Sequence, residues 1–208
     1  MSALLSYEYE RDDYYCWPDS SVLKNKLNIE DESLLNEAER RITSLKTAEL
    51  LETPLEGELD FDYVRKIHEH LFSDIYDWAG EVRKTDISKG NIFCQRELIE
   101  VNTEALMNEL KNENYLVGLD RDRLGERLAY YLGDLNAIHP FREGNGRVQR
   151  IFVRELASRA GYLINFDGIT PREMIKASDA AFHHNYELME SIIKKSIRRS
   201  SGRNGRKN

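Results

Sequence analysis

Apolar residues recur every three or four positions through most of the chain, the spacing that puts them on one face of an α-helix. Leu34, Ala38, Ile42 and Leu45 predict a helix over 31–51, with Asp31 or Ser33 as its cap. Phe61, Val64, Ile67, Leu71, Ile75 and Trp78 predict a second over 59–78, closed by Ala79-Gly80. The rhythm resumes at Leu98, Val101, Ala105 and Leu110, and again from Asp122 with Leu124, Leu128, Leu132, Leu135 and Ile138. It continues through Val148, Ile151, Phe152, Leu156 and Ala160. Thr170, Pro171 and Glu173 open a further helix by N-cap logic, and Leu188, Met189, Ile192 and Ile193 mark a last one. One stretch breaks the pattern: over 82–95, Gly90-Asn91 between Thr/Ile and Ile/Phe residues signals a β-hairpin. The predicted fold is all-α, a helical bundle with one short hairpin. Residues 22–197 form its domain, after an aromatic arm over 1–21 laid on that domain and before a basic, disordered tail over 198–208.

Between two of these helices lies the stretch His139-Pro140-Phe141-Arg142-Glu143-Gly144-Asn145-Gly146-Arg147-Val148-Gln149-Arg150. Pro140 pushes the preceding residue out of the α region, so the stretch reads as helix, tight loop, helix. Gly144 and Gly146 open backbone angles closed to other residues, and Asn145 between them tolerates the left-handed region. Successive N–H groups can then turn inward above the start of the next helix, whose first amides lack partners and whose dipole is positive there. That is a cradle for a phosphate. Arg147 and Arg150, three apart, share a helix face and suit further phosphates. Glu143 can hold a magnesium ion that bridges phosphates, and His139 can accept a proton near neutral pH. Each part alone has an ordinary use: a helix-end histidine as cap, Gly-Asn-Gly as turn, the charged residues as a solvated or paired surface. Together they favour a phosphate site.

The stretch resembles the signature of Fic-domain proteins, His-Pro-Phe-x-(Asp/Glu)-Gly-Asn-Gly-Arg-x-x-Arg, at every specified position. The likeness extends over 22–193 and includes "IHEHLFSDIYDWAGEVR". It implies a Fic fold with the hairpin as a flap over the active site, and transfer of AMP from ATP to a hydroxyl side chain of another protein. By the same resemblance His139 takes the proton of the target hydroxyl and Glu143 carries Mg2+. The amides of Gly144, Asn145 and Gly146 hold the α-phosphate, and Arg147 and Arg150 the β- and γ-phosphates. Lys89 and Gly90 match flap positions lining the nucleotide, although a turn lysine is as readily a solvated one. Asn136 matches a position beside the nucleotide, with capping of the helix end as its plain alternative.

The resemblance also implies a regulator. Many Fic proteins carry an inhibitory helix with Ser/Thr-x-x-x-Glu-Gly/Asn, whose glutamate meets the second signature arginine. Ser33 to Glu37 has that spacing, but Ala38 follows where Gly or Asn is expected, so Glu37 reads as a surface residue. The chain thus resembles the toxin subclass restrained by a small separate antitoxin protein. In that subclass the targets are type II topoisomerases (DNA gyrase, topoisomerase IV), and their modification leads to cell filamentation. Two rivals stand beside this: a Fic-fold kinase, whose signature has lysine where this chain has Gly146, and a catalytically idle adaptor, for which an intact His139 is superfluous.

Composition narrows the rest. In 208 residues, 40% are hydrophobic and 32% charged, enough for one domain with a sizeable core. The formal net charge of −7 disfavours direct nucleic-acid binding in bulk. No apolar run reaches membrane-spanning length, no secretory pattern opens the chain, and the expected location is cytoplasmic. Cys16 and Cys94 give neither a disulfide framework nor a four-ligand metal pattern.

Overall fold

The computed structural model describes residues 12–200. Its helices are α1 (Glu32–Glu52), α2 (Phe61–Phe72), α3 (Ile99–Asn112), α4 (Arg121–Ile138), α5 (Asn145–Arg159), α6 (Pro171–Phe182) and α7 (Glu187–Ser196). Side-chain caps start several of them: Asp31 accepts from the Leu34 amide, Asp60 from Tyr63, and Thr170 with Glu173 forms a reciprocal capping box. The central element is α4. Its predicted stripe of Leu124, Leu128, Leu132, Leu135 and Ile138 is buried throughout, and α3, α5, α6 and α7 pack around it. On the far side of α5, α2 adds Val64, Ile67 and Leu71 to the same core and carries α1 on its other flank.

The predicted hairpin is present. Strands β1 (Ser88–Lys89) and β2 (Asn91–Ile92) pair antiparallel around Gly90, whose φ of +78° suits glycine. A second small sheet was not foreseen: β3 (Tyr162–Ile164) pairs antiparallel with β4 (Ile197–Arg199). This moves the start of the predicted tail, because Arg198 and Arg199 lie in a strand opposite Leu163 and Tyr162. Residues 201–208 and 1–11 lie outside the described part of the chain. Of the predicted N-terminal arm, Asp12 to Ser21 runs over the domain surface, with Tyr15 buried and Cys16 bridged to Leu23.

Two predictions are corrected, one in a helix boundary and one in a buried face. The second helix ends at Phe72, and residues 73–80 are turns that keep Ile75, Tyr76 and Trp78 in the core without helical backbone. The first helix has the predicted span, but its buried face is rotated. Leu35, Glu39, Thr43 and Leu50 face inward, while Leu34 and Leu45 are 56% and 69% exposed. Two of the four inward residues are polar, and hydrophobic spacing is blind to them. Their shared partner is Arg147 in the first turns of α5.

Candidate active site

The loop between α4 and α5 is built by its ends. His139 terminates α4 in the left-handed region (φ 52°, ψ 62°), a conformation costly for most side chains. It is held there from two sides. The buried Arg83 donates from Nε to the His139 carbonyl at 2.8 Å and from its other nitrogens to the carbonyls of Thr85, Cys94 and Ile138. These include carbonyls that the helix end leaves without partners, so one guanidinium closes α4 and ties it to the hairpin. At the far end Asn145 takes helical backbone. Its side-chain oxygen accepts from the Phe141 amide at 2.9 Å and its amide nitrogen donates to the Phe141 carbonyl at 2.7 Å.

The glycines therefore serve differently from the sequence expectation. Only Gly144 has a positive φ, +82°; a Cβ there would also fall 2.2 Å from the Phe72 ring. Gly146 sits in the first turn of α5 with helical angles, and a Cβ would approach the Arg150 guanidinium to 3.1 Å. The bare backbone keeps that arginine close to the start of the helix. The Gly144 amide is engaged, donating to Glu143 Oε1 at 2.8 Å. Those of Asn145 and Gly146 find no acceptor among the described residues. The donors available for an anion are thus these two, with no side-chain cap over the α5 N-terminus.

Every candidate residue meets in one place. Lys89, Gly90, Asn136, His139, Glu143, Gly144, Asn145, Gly146, Arg147 and Arg150 line a single cavity of about 490 Å³, a size suited to a nucleotide. The opposite wall, which sequence reasoning did not commit to, is α6 with Met174, Lys176, Ser178, Asp179 and Phe182. Its polar members carry no motif, and only the helix packing brings them round. The hairpin closes over this wall, where Asn91 donates to Asp179 at 2.8 Å.

His139 is 6% exposed and lines the cavity beneath the hairpin. Phe93 stacks on the ring, centroids 3.8 Å apart. Its Nδ1 lies 3.0 Å from the Asn136 carbonyl, which can only accept, so Nδ1 carries the proton and Nε2 is the basic nitrogen. Asn136 thereby serves through its backbone, one turn before the base. Burial pushes the His139 pKa down to about 3, aided by the Arg83 and Lys89 charges. The ring is neutral at physiological pH and able to accept a proton.

Glu143 is supported by a residue that the sequence left without chemistry. His68, fully buried between Phe72 and Phe141, accepts from the Gly80 amide at Nδ1 (2.8 Å). Its Nε2 then carries the proton and donates to the Glu143 carbonyl at 3.1 Å. Burial and the nearby Glu39 carboxylate raise the Glu143 pKa. Its carboxylate lines the cavity as a hard oxygen donor, and no cluster of three or more metal-ligating side chains occurs among the described residues. A single carboxylate of this kind suits Mg2+, which takes its other ligands from phosphates and water.

The two signature arginines stand in contrasting surroundings. Arg147 is paired with Glu39 of α1 and lies 3.5 Å from Glu143 Oε1. Arg150 forms no hydrogen bond or ion pair among the described residues, and burial with the adjacent Arg147 charge lowers its pKa. Glu37, the residue at inhibitory-motif spacing, pairs with Arg41 at 2.5 Å, away from both.

The neutral burial of two histidines makes an acid-stability prediction. His68 and His139 both have pKa values near 3 in the folded protein, against 6.5 for the solvated ring. As pH falls through 6.5 the unfolded chain binds these protons first. Each ring therefore removes about 1.4 kcal/mol of stability per pH unit between 6.5 and its folded value. Denaturant unfolding between pH 7 and 4 is expected to show this loss, with a shallower slope in His139→Asn. An unchanged slope in that variant would contradict neutral burial of the ring.

With the geometry in place, comparison with known proteins gives the family. Residues 58–157 match the Fic/DOC family. Protein adenylyltransferase VbhT of Bartonella schoenbuchensis is 39% identical over 186 residues, which are 89% of this chain and 39% of that protein. "Probable protein adenylyltransferase Fic" of Escherichia coli K12 is 37% identical over 89% of this chain and 92% of its own length. The chain belongs to the Fic/DOC family. Among solved structures, the Fic domain of a VirB-translocated Bep effector from Bartonella quintana, with bound ADP, superposes with a TM-score of 0.85 at 31% identity. That match covers 90% of this chain and 95% of that one. BepC of Bartonella tribocorum, with bound AMPPNP, gives 0.84 at 27% identity, covering 90% and 97%. In this Fic chain, moreover, none of the described helices is long and apolar enough to cross a membrane.

Proposed function

We propose that this chain transfers AMP from ATP to a hydroxyl side chain of a target protein. The observation that carries the reading is the cavity itself. A neutral imidazole shares its walls with two amides at a helix N-terminus and an arginine, none of the three partnered among the described residues. Protein adenylyltransferase is also the activity in the names of relatives that match nearly the whole chain.

In this mechanism His139 Nε2 takes the proton as the target oxygen attacks the α-phosphorus, and pyrophosphate leaves. The Asn145 and Gly146 amides hold α-phosphate oxygens. Arg150 and Arg147 hold the leaving phosphates, where negative charge accumulates as the bond breaks. Glu143 would hold Mg2+, which would supply further charge neutralisation. Lys89 and Gly90 border the nucleotide from the hairpin, and the two-stranded flap offers backbone edges for pairing with the target segment.

The target class we favour is the type II topoisomerases, as for the compact Fic toxins that this chain resembles. Modification there of an ATPase-domain tyrosine would block ATP use and produce filamentation. A small antitoxin protein is the proposed regulator. In support, Glu37 points to Arg41 and Glu39 to Arg147, so neither of these two glutamates of α1 meets Arg150.

Incubation of the purified protein with bacterial cytosol and labelled ATP tests the chemistry. AMP transfer labels protein from α-labelled ATP only, a kinase from γ-labelled ATP only, and an adaptor from neither. Mass spectrometry of the labelled band then identifies the acceptor residue, and a band other than a topoisomerase subunit would displace that target.

A further inference from the structure

Glu39 lies 108 residues from Arg147 in sequence and touches its guanidinium in space. It is 5% exposed, on a helix that contributes no residue to the cavity lining. A carboxylate in that position costs several kcal/mol unless its oxygens are satisfied. Both are. Oε2 accepts from the Tyr76 hydroxyl at 2.6 Å, and Oε1 accepts from Arg147 Nη2. Tyr76 is itself fixed by stacking on Trp78, centroids 4.3 Å apart. Thr43, one turn further along α1, gives its only hydroxyl proton to the Glu39 carbonyl at 2.7 Å. Its oxygen can then only accept, and it does so from Arg147 Nη1 at 3.1 Å. The Phe72 ring lies under the same guanidinium at 4.9 Å.

We propose that Glu39 is the positioning residue of the active site: with Thr43 it aims the Arg147 fork at the leaving phosphates before ATP arrives. This rests on the AMP-transfer reading and adds to it a function for the polar face of α1. An arginine side chain left alone samples many rotamers, and fixing it at the moment of reaction would subtract from the barrier reduction it supplies. Held in advance by Glu39 and Thr43, with Glu143 Oε1 3.5 Å from Nη2, Arg147 directs its remaining N–H groups to where charge develops on pyrophosphate. Charge is also balanced. Glu39 neutralises Arg147, while Arg150 brings an uncompensated positive charge for ground-state binding. The division predicts that Glu39 acts mainly on the maximal rate, and Arg150 mainly on ATP affinity.

Glu39→Gln keeps the shape and an acceptor for Tyr76 but removes the ion pair. With α-labelled ATP and bacterial cytosol as acceptor, its maximal rate is expected to fall about tenfold or more, with the KM for ATP within about threefold of wild type. In an Arg147→Ala background the same substitution is expected to cost nothing further, because the group through which Glu39 acts is gone. Thr43→Val, which leaves both charges in place, is expected to lower the rate in the same direction by a smaller factor. It decides the matter if Arg147→Ala does not fold. A wild-type rate in folded Glu39→Gln, or losses that multiply in the double variant, would overturn the proposal. Wild-type protein that labels nothing would instead sink the AMP-transfer reading. The same cycle read as thermal stability would then still test the Glu39–Arg147 contact, with coupled losses supporting it and independent ones refuting it.

Discussion

Replacing His139 removes AMP transfer and spares ATP binding. The expected loss in rate is about a hundredfold to ten-thousandfold, the range for deleting a positioned general base. Affinity for ATP should stay within about threefold, because the phosphate contacts come from α5 and not from the imidazole. Two variants are needed, since the residue is also the left-handed end of α4. His139→Ala puts a Cβ into that conformation without compensation. His139→Asn is the better probe, because asparagine tolerates the left-handed region, and Arg83 still closes the helix through the backbone carbonyl. The electrostatics give the base its timing. In the free protein, burial and the charges of Arg83 and Lys89 hold the ring neutral. Incoming phosphates oppose those charges, so the imidazole becomes a stronger base as ATP binds. Labelled-AMP transfer and calorimetry on the same samples check both halves of this expectation. Near-wild-type transfer by folded His139→Asn would take the histidine out of the chemistry.

The candidate stretch over 139–150 was readable because its residues are adjacent in sequence. A proline stop, two glycines and charged groups within one turn of each other fix the loop's character before any packing is known. The α4 stripe was readable for a different reason: a helix buried on one continuous apolar face advertises that face by spacing. What escaped was chemistry built from residues far apart. Arg83 looks like one basic residue among several in "VRKT", yet it caps α4 because the fold places four carbonyls around it. His68 looks like half of a His-x-His pair, and only the fold shows its two nitrogens spanning Gly80 and Glu143.

On α1 the hydrophobic pattern misled outright. Leu34 and Leu45 satisfied the helical period and proved exposed, while the polar Glu39 and Thr43 turned inward to meet Arg147. Periodicity counts apolar residues, and a face buried by hydrogen bonds to another element is invisible to it. The strand at Ile197–Arg199 escaped similarly, since three residues with two arginines carry no strand signal until β3 offers an edge.

The contrast between the paired and unpaired arginines leads to the second large effect. Arg150→Ala is expected to weaken ATP binding about tenfold to a hundredfold without destabilising the protein. In the free protein Arg150 has no acidic partner among the described residues and sits beside another cation. Removing it relieves repulsion and desolvation, so thermal stability should hold or rise. Arg147→Ala behaves oppositely in stability. It strands Glu39 in a nearly closed environment, and breaking such a pair costs about 3–5 kcal/mol. The two substitutions have the same chemistry and the same helix, three residues apart, and differ only in what the guanidinium touches before ATP arrives. Arg150→Lys should recover part of the affinity, because it restores the charge but not the planar fork. Titration calorimetry with AMPPNP alongside thermal unfolding separates these outcomes. If Arg150→Ala lost stability and kept its affinity, the residue would be a structural one and the uncompensated charge facing the cavity would need another explanation.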